Sequence, residues 1–494
     1  MGNYTTFPEL MMWLPLVLAV ACFFVKSANA AKNIALFGSL VVLAITLISL
    51  GYTGSNYDNY NTVSYVWLKD IGASLYFSLQ GSGRILTLLT AVAYPIILIS
   101  TYQNTYPNAS AFFGLLMLTQ CGLMGVFVAN DALIFYFFWE VALIPVYFLC
   151  SRWGGEKRIQ ATFKFFVYTF LGSLLMLTGI IYVYLHTPPK LFLDGSQIAH
   201  SFSLQSFYAA GLTATEQGWL FWLFFIAFAI KMPIFPFHTW QPDTYDQSPA
   251  TVTMVLSGIM VKMGLFGVIK WLIPIFPLAM PKYTNIIMVL SIAGIIYASC
   301  IAIMQDNLKK LVAYSSIAHI GLMCAAIFAM NELSLQGVMV QMFNHGINIV
   351  GLWIVLSIIE RQTGIKQMSQ LGGLAHKAPT LTIFLVIIAF ANIALPLTNA
   401  FVGEFMMFAG IYKHSIWMAV ISGISIILAA VYSLNMVQKV FYGEQQSTLS
   451  RVSDISITEK LGLCLIVIMI FAFGIYPQPM LNLAKEAVVN LLVQ

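Results

Sequence analysis

Apolar runs of about 20 residues recur from one end of this sequence to the other, each long enough to span a hydrocarbon core of roughly 30 Å. In lipid every backbone polar group needs an internal partner, so each run is expected to be a helix. The fold expected is an all-α polytopic membrane protein. Composition agrees: 60% of the 494 residues are hydrophobic and 8% are charged, against a charged share of about 25% in soluble proteins. The runs place helices near 9–25, 34–51, 84–102, 109–129, 131–150, 162–185, 217–246, 248–271, 283–303, 310–330, 335–359, 380–414, 415–441 and 461–480. That makes about fourteen spans.

The loops set the orientation. With the N-terminus outside, Lys26, Lys32, Arg152, Lys157, Arg158, Lys164, Lys309, Lys310, Arg361, Lys366, Lys377, Lys439, Arg451 and Lys460 fall at the inner side. Roughly half as many basic residues, Lys270 among them, fall outside, as the positive-inside rule asks. Both termini then face outward. No Lys or Arg precedes the first run, so it reads as a retained helix rather than a signal peptide. The net charge of +5 follows this topology and points to no nucleic-acid partner. The longest loops, about 52–83 and 186–216, are expected against the outer face, and 442–460 forms a polar inner loop.

The stretch from Phe228 to Asp243 departs most from what lipid allows. It holds Lys231, Pro233, Pro236 and His238 at about membrane depth. Each proline removes a backbone donor and clashes with the preceding turn, so the helix is expected to break there. Broken backbone at that depth survives where it is packed in protein or lines a wet cavity. A kinked helix with a snorkelling lysine is the alternative for this residue taken alone. A weak echo follows at Phe390–Pro396. Two broken helices at corresponding places in two halves are a pointer to inverted repeats around a transport path.

Six ionisable residues sit in the middle of six apolar runs: Glu140, Lys231, Lys262, His319, His345 and Glu404. A charged residue there costs about 2.5–3.5 kcal/mol on insertion scales, so such groups normally pair or line an ion path. Each alone has a structural reading, a hydrogen-bonded core histidine or a helix–helix clasp. Six at one depth favour a relay. Burial raises the proton affinity of a carboxylate and lowers that of an ammonium, while imidazole titrates near neutrality, so the three types converge. Thr169, Ser173, Thr253, Ser257, Ser315 and Ser316 could hold waters between them.

Other chemistries find little here. Gly81-Ser-Gly83-Arg84 follows no strand and opens a membrane helix, so it is not a phosphate cradle. No H-E-x-x-H occurs and the histidines lack close ligand spacing, which argues against a metal site. Haem held between His319 and His345 would leave the lysines and glutamates unexplained. Cys22, Cys121, Cys150, Cys300, Cys324 and Cys464 lie singly, with no C-x-x-C, and read as small core residues.

Phe135–Leu149, Trp153-Gly-Gly155, Lys164–Tyr168, Lys231–Asp243, Leu308–Gly321, Asn344-His-Gly346 and Leu371–Leu374 together resemble the antiporter-like subunits of respiratory complex I. The resemblance runs from about residue 80 to near the end of the chain. It implies two inverted five-helix bundles, with helices 7 and 12 broken. The expected divisions are 1–108, 109–271, 283–441 and 442–494. It makes Glu140 and Lys231 the pair of the first half-channel, Lys262 a bridging lysine, His319 and His345 central histidines, and Glu404 the terminal carboxylate. The implied function is proton translocation coupled to quinone reduction elsewhere in the complex. No cofactor is expected on this chain; NADH, FMN, iron–sulfur clusters and quinone belong to partner subunits. Expected partners are membrane lipid and the other subunits, two of them antiporter-like. The expected location is the bacterial inner (cytoplasmic) membrane rather than the mitochondrial one. Three departures stand out: Leu79-Gln80-Gly81 where the family usually has V-D-G, Leu395–Phe401 where L-P-G-T-S-G-F is usual, and Tyr245 for a frequent histidine. The rivals are a subunit of a multicomponent sodium/proton antiporter, a pump module of a hydrogenase or formate-linked complex, and a non-conducting spacer. The antiporter subunits usually carry lysine where this chain has Glu404.

Overall fold

The computed structural model of the chain describes residues 5–52, 60–191, 197–444 and 452–492. Each of the three expected loops includes a stretch outside the described residues, and Arg451 lies there too. In chain order the first helices are α1 (Phe7–Phe24), α2 (Ala28–Leu50), α3 (Ser82–Ser100), α4 (Ala109–Val128), α5 (Ala132–Trp153) and α6 (Arg158–Leu185). Two half-helices follow, α7a (Ala214–Lys231) and α7b (Trp240–Gln247). Next come α8 (Ala250–Ile275), α9 (Met280–Met304), α10 (Leu308–Phe328) and α11 (Glu332–Thr363). Another interrupted pair, α12a (Pro379–Asn392) and α12b (Asn399–His414), precedes α13 (Ile416–Tyr442) and α14 (Ile457–Ile475). Among the described residues 12 helices are long and apolar enough to cross a membrane without interruption. The expected figure of about fourteen takes each interrupted pair as one further crossing.

Both breaks fall where the prolines place them. α7a ends at Lys231, and the Trp240 indole donates across the gap to the Ile230 carbonyl at 3.0 Å. The second break carries Ala394 and Leu397 at φ 59° and 73°, left-handed backbone that costs a residue with a Cβ roughly 1–2 kcal/mol. Leu397 stands where the resembled family usually has glycine, so this chain bears strain there that glycine avoids.

Short strands edge the all-α bundle at its periphery. Strands β1 (Thr62–Leu68) and β2 (Ala73–Ser78) form an antiparallel hairpin, with Thr62 opposite Ser78 and Gly72 turning at φ 68°. Its β-branched and aromatic residues suit a pleated surface, a signal the loop reading passed over. Asp131 ties the hairpin to the bundle: it accepts from Ser74 N at 3.0 Å and caps α5 by accepting from Leu133 N and Ile134 N. A second, two-residue pair joins β3 (Lys190–Leu191) to β4 (Gln197–Ile198). Beyond α14 lies an unexpected amphipathic helix, α15 (Gln478–Leu492), whose Met480, Ala484, Ala487 and Val488 are buried. Their spacing marks one helical face, and Glu486 of α15 pairs with the buried Arg84 of α3 at 2.6 Å.

The structure also places several single residues. Lys270, expected at the outer end of the eighth helix, lies in the last turns of α8 and donates to the Ala129 carbonyl at 2.9 Å. Cys300 and Cys464 are exposed rather than core residues, while the other four cysteines are buried. Lys231 does not snorkel; it is 1% exposed. Helices α8, α10 and α11 are the most enclosed, with 100%, 94% and 94% of their apolar windows buried, against 22% for α13. The bundle is built around those three, and they carry three of the six singled-out residues.

Candidate functional site

Helix α8 presents Lys262 between two π-helical turns, Leu256–Met260 and Val268–Leu272. Such turns are rare overall but frequent at functional sites, and each leaves a carbonyl without its usual partner. Here Val261 N donates five residues back, to the Leu256 carbonyl. The Ser257 carbonyl is thereby left free, and it accepts from Lys262 Nζ at 2.8 Å. Backbone geometry thus creates the socket for the ammonium. Lys262 Nζ also lies 2.9 Å from His345 Nδ1 on α11. The helices come close because both are bare at the crossing: a Cβ on Gly346 would lie 2.9 Å from the Gly258 carbonyl oxygen and 2.6 Å from Leu89 Cδ1. Lysine and imidazole at this distance cannot both be cationic without strong repulsion in so dry a place. The contact therefore suits a proton passed between the two nitrogens rather than two fixed positive charges.

The row continues. His345 Nε2 is 3.3 Å from Ser316 Oγ on α10, and the His345 and His319 rings are 5.3 Å apart between centroids. His319 Nδ1 contacts Glu404 Oε1 of α12b at 3.1 Å, and Gln341 Nε2 of α11 donates to the same oxygen at 3.1 Å. His319 Nε2 is buried without a hydrogen-bond partner. Beside Glu404 and His319 lies a small cavity of about 10 Å³, bordered by Ser299, Ser425 and Tyr432. That is room for about one water. Lys262, His345, His319 and Glu404, from four helices, therefore stand in one line of contacts.

The other two residues are placed differently. Glu140 is half-buried on α5, and Lys231 is buried at the end of α7a. The two sit near enough to interact through charge, yet among the described contacts no ion pair joins them. Glu140 Oε1 and Lys231 Nζ are each buried without a hydrogen-bond partner. The expected direct pair is therefore not formed. Lys231 Nζ lies instead 5.5 Å from the Trp139 ring centroid, a cation–π distance. The ammonium faces the Trp139 ring without a hydrogen bond to the carboxylate, an arrangement no spacing in sequence could reveal. Among the described residues no hydrogen bond or ion pair bridges Lys231 to Lys262 either.

At the far end of α7b an open cleft of about 620 Å³ is bordered by Lys164, Asp243, Asp246, Lys310 and Lys366. Asp243 pairs with Lys164 at 2.8 Å and Lys310 at 3.6 Å; Asp246 pairs with Lys366 at 3.7 Å. The exposed Asp243 pairs contribute about 0–1 kcal/mol each to stability. Their effect is to keep the end of the broken helix polar and wet.

Of the hydroxyls expected to hold waters, Ser316 reaches His345, and Ser257 serves Lys262 through its carbonyl. Thr169, Ser173, Thr253 and Ser315 bond carbonyls of their own helices, and Ser173 also hydrogen-bonds Glu140. The sequence reading assigned no role to Gln341, Asn344, Asn348, Asn399 or Trp139. A signal existed for three of them, since Gln341, Asn344 and Asn348 share one helical face, and amides on a membrane helix seek partners across it. Among the described residues no three His, Cys, Asp or Glu side chains gather as a metal-holding group.

Comparison with known proteins gives three concordant results. Residues 129–429 match the family described as NADH:quinone oxidoreductase/Mrp antiporter, transmembrane. The chain is 34% identical over 496 residues to NADH-quinone oxidoreductase subunit M of Rickettsia prowazekii, covering 98% of each, and 31% identical to F(420)H(2) dehydrogenase subunit M of Methanosarcina mazei, again covering 98% of each. Its structure is similar to a chain of respiratory complex I from Thermus thermophilus with bound NADH, at TM-score 0.86 and 27% identity over 98% of this chain and 99% of that one.

Proposed function

The chain belongs to the NADH:quinone oxidoreductase/Mrp antiporter family, and from that premise we propose that it is the proton-translocating subunit M of a NADH:quinone oxidoreductase. The observation that carries the reading is the row Lys262–His345–His319–Glu404 inside a membrane bundle, hydrogen-bonded at both ends and joined in the middle by neighbouring imidazole rings. Each member can take and give a proton. Lys262 can pass a proton to His345 Nδ1 while His345 Nε2 releases one toward Ser316; a water between Ser316 and the unpartnered His319 Nε2 would carry it across the one gap, and His319 Nδ1 can deliver one to Glu404 Oε1. Every group returns to its starting charge once the next proton arrives.

Glu140 and Lys231 form the receiving end. Held apart, each retains a buried polar atom without a partner, and burying such an atom unsatisfied costs free energy. Water entering from the Lys164–Asp243 cleft, or a charge arriving from a neighbouring subunit, supplies what is missing. Glu404 stands at the release end. The two halves, 109–271 and 283–441, are read as inverted bundles flanked by 1–108 and 442–494, with both termini outside the bacterial inner membrane. NADH, FMN, iron–sulfur clusters and quinone are assigned to partner subunits, and two of those partners share this fold. A relative named for F(420)H(2) dehydrogenase fits a pump module whose electron donor is set by its partners. An antiporter role is less favoured, because carboxylate stands at Glu404. The line of contacts argues against a non-conducting spacer.

Two tests follow. Gentle detergent extraction and mass analysis should recover the chain with redox subunits; a stable monomer that moves protons alone would overturn the reading. Within the assembled complex, Lys231→Ala and Glu140→Ala should each lower proton uptake by about tenfold or more, as for loss of an acid–base group. Glu140→Asp, which keeps the charge on a shorter arm, should retain several times the activity of Glu140→Ala. Normal pumping in both alanine variants would remove the two residues from the path.

A further inference from the structure

We propose that the amides of Gln341, Asn344 and Asn348 on α11 are positioning residues that hold Glu404 against His319. The proposal rests on reading Glu404 as a relay group and goes beyond it, to what fixes that group in place. The three amides lie on one face of α11, and each contacts α12b. Gln341 Nε2 donates to Glu404 Oε1 at 3.1 Å. Asn344 Nδ2 donates to the Asn399 carbonyl at 2.7 Å. Asn348 Nδ2 donates to Asn399 Oδ1 at 3.0 Å, and Asn399 Nδ2 returns a bond to Asn348 Oδ1 at 3.1 Å. All four amide residues are at most 1% exposed, so water offers them little competition.

The break before α12b explains why such a clasp is needed. Asn399 is the first residue of α12b, and Glu404 follows within the next two turns. Ahead of it, Ala394 and Leu397 hold left-handed backbone, and the Leu397 side chain is 66% exposed, so packing of that side chain does not secure the turn. Two features secure it instead. On one side α14 approaches so closely that a Cβ on Gly474 would lie 2.1 Å from the Leu397 carbonyl oxygen. On the other, Asn399 is clasped by α11. The same helix carries His345, in contact with Lys262, between Asn344 and Asn348. A helix is stiff along its axis, so a shift of α11 moves the Lys262 contact and the Glu404 contact together. The clasp thus links the central lysine to the terminal carboxylate mechanically as well as through protons.

The test uses the assembled complex in vesicles, with proton uptake and the infrared carboxyl band of Glu404, identified by its loss in Glu404→Gln. Asn348→Leu keeps the volume and removes both bonds to Asn399. It is expected to shift the Glu404 band and lower proton uptake about ten- to a hundredfold, the scale of an ångström-sized misplacement. In a Glu404→Gln background Asn348→Leu should add no further loss, because both act through one group. Should Asn348→Leu not assemble, Gln341→Met, which spares the asparagine clasp, must shift the same band. An unmoved band with normal uptake, or a full additional loss on top of Glu404→Gln, overturns the positioning role. Normal uptake in Glu404→Gln itself would instead sink the relay reading on which it rests.

Discussion

Lys262→Arg and Lys262→Met in the assembled complex should each lower proton uptake and coupled quinone reduction by about a hundredfold, the order expected for loss of a general acid–base group. The two variants fail for different reasons, which is what makes them informative. Methionine has nearly the lysine stem but no proton, so the Ser257 carbonyl and His345 Nδ1 lose their shared donor. Arginine keeps the positive charge and can donate to the same carbonyl, yet its guanidinium does not release a proton in proteins. If Lys262 acted only as a fixed charge holding α8 to α11, arginine would preserve much of the activity. The 2.9 Å contact with His345 argues that exchange is the essential property. Measuring uptake and quinone reduction at matched complex content checks this. Activity near the parent level in Lys262→Arg would reassign Lys262 to an electrostatic role.

Much of this site was legible in the sequence because lipid makes ionisable residues expensive. Lys262, His319, His345 and Glu404 could be picked from their apolar runs, and the prolines at 233, 236 and 396 marked both breaks. What could not be read was which groups touch. Glu140 and Lys231 look like a pair by charge and depth, but no hydrogen bond joins them and Lys231 faces the Trp139 ring, and only packing decides that. The Ser257 socket depends on π-helical turns that no residue pattern announces. The hairpin at Thr62–Ser78 and the amphipathic helix Gln478–Leu492 did leave signals, alternating β-formers and a one-sided apolar face. Polar residues around the first, and the lack of a further 20-residue apolar run at the second, outweighed them. The amide row was visible on one face of α11, but its partner Asn399 lies across a break whose geometry depends on Leu397 and Gly474.

Glu404→Gln should assemble fully and yet lose most of its proton uptake, about tenfold or more. Glutamine has the shape of glutamate and can keep hydrogen bonds to Gln341 and His319, so the fold around α12b has no reason to fail. It cannot bind and release a proton, so a proton reaching His319 finds no acceptor beyond it. Glu404→Lys, which gives the residue usual in the resembled antiporter subunits, should retain more uptake than Glu404→Gln, because a buried lysine can still exchange. The decisive measurement is proton uptake recorded together with quinone reduction in vesicles holding equal amounts of assembled complex, Glu404→Gln against the parent. A line of exchangeable protons ending at Glu404 predicts uptake at about a tenth of the parent or below; uptake equal to the parent at full assembly would show that Glu404 only clasps α11 and that protons leave by another way.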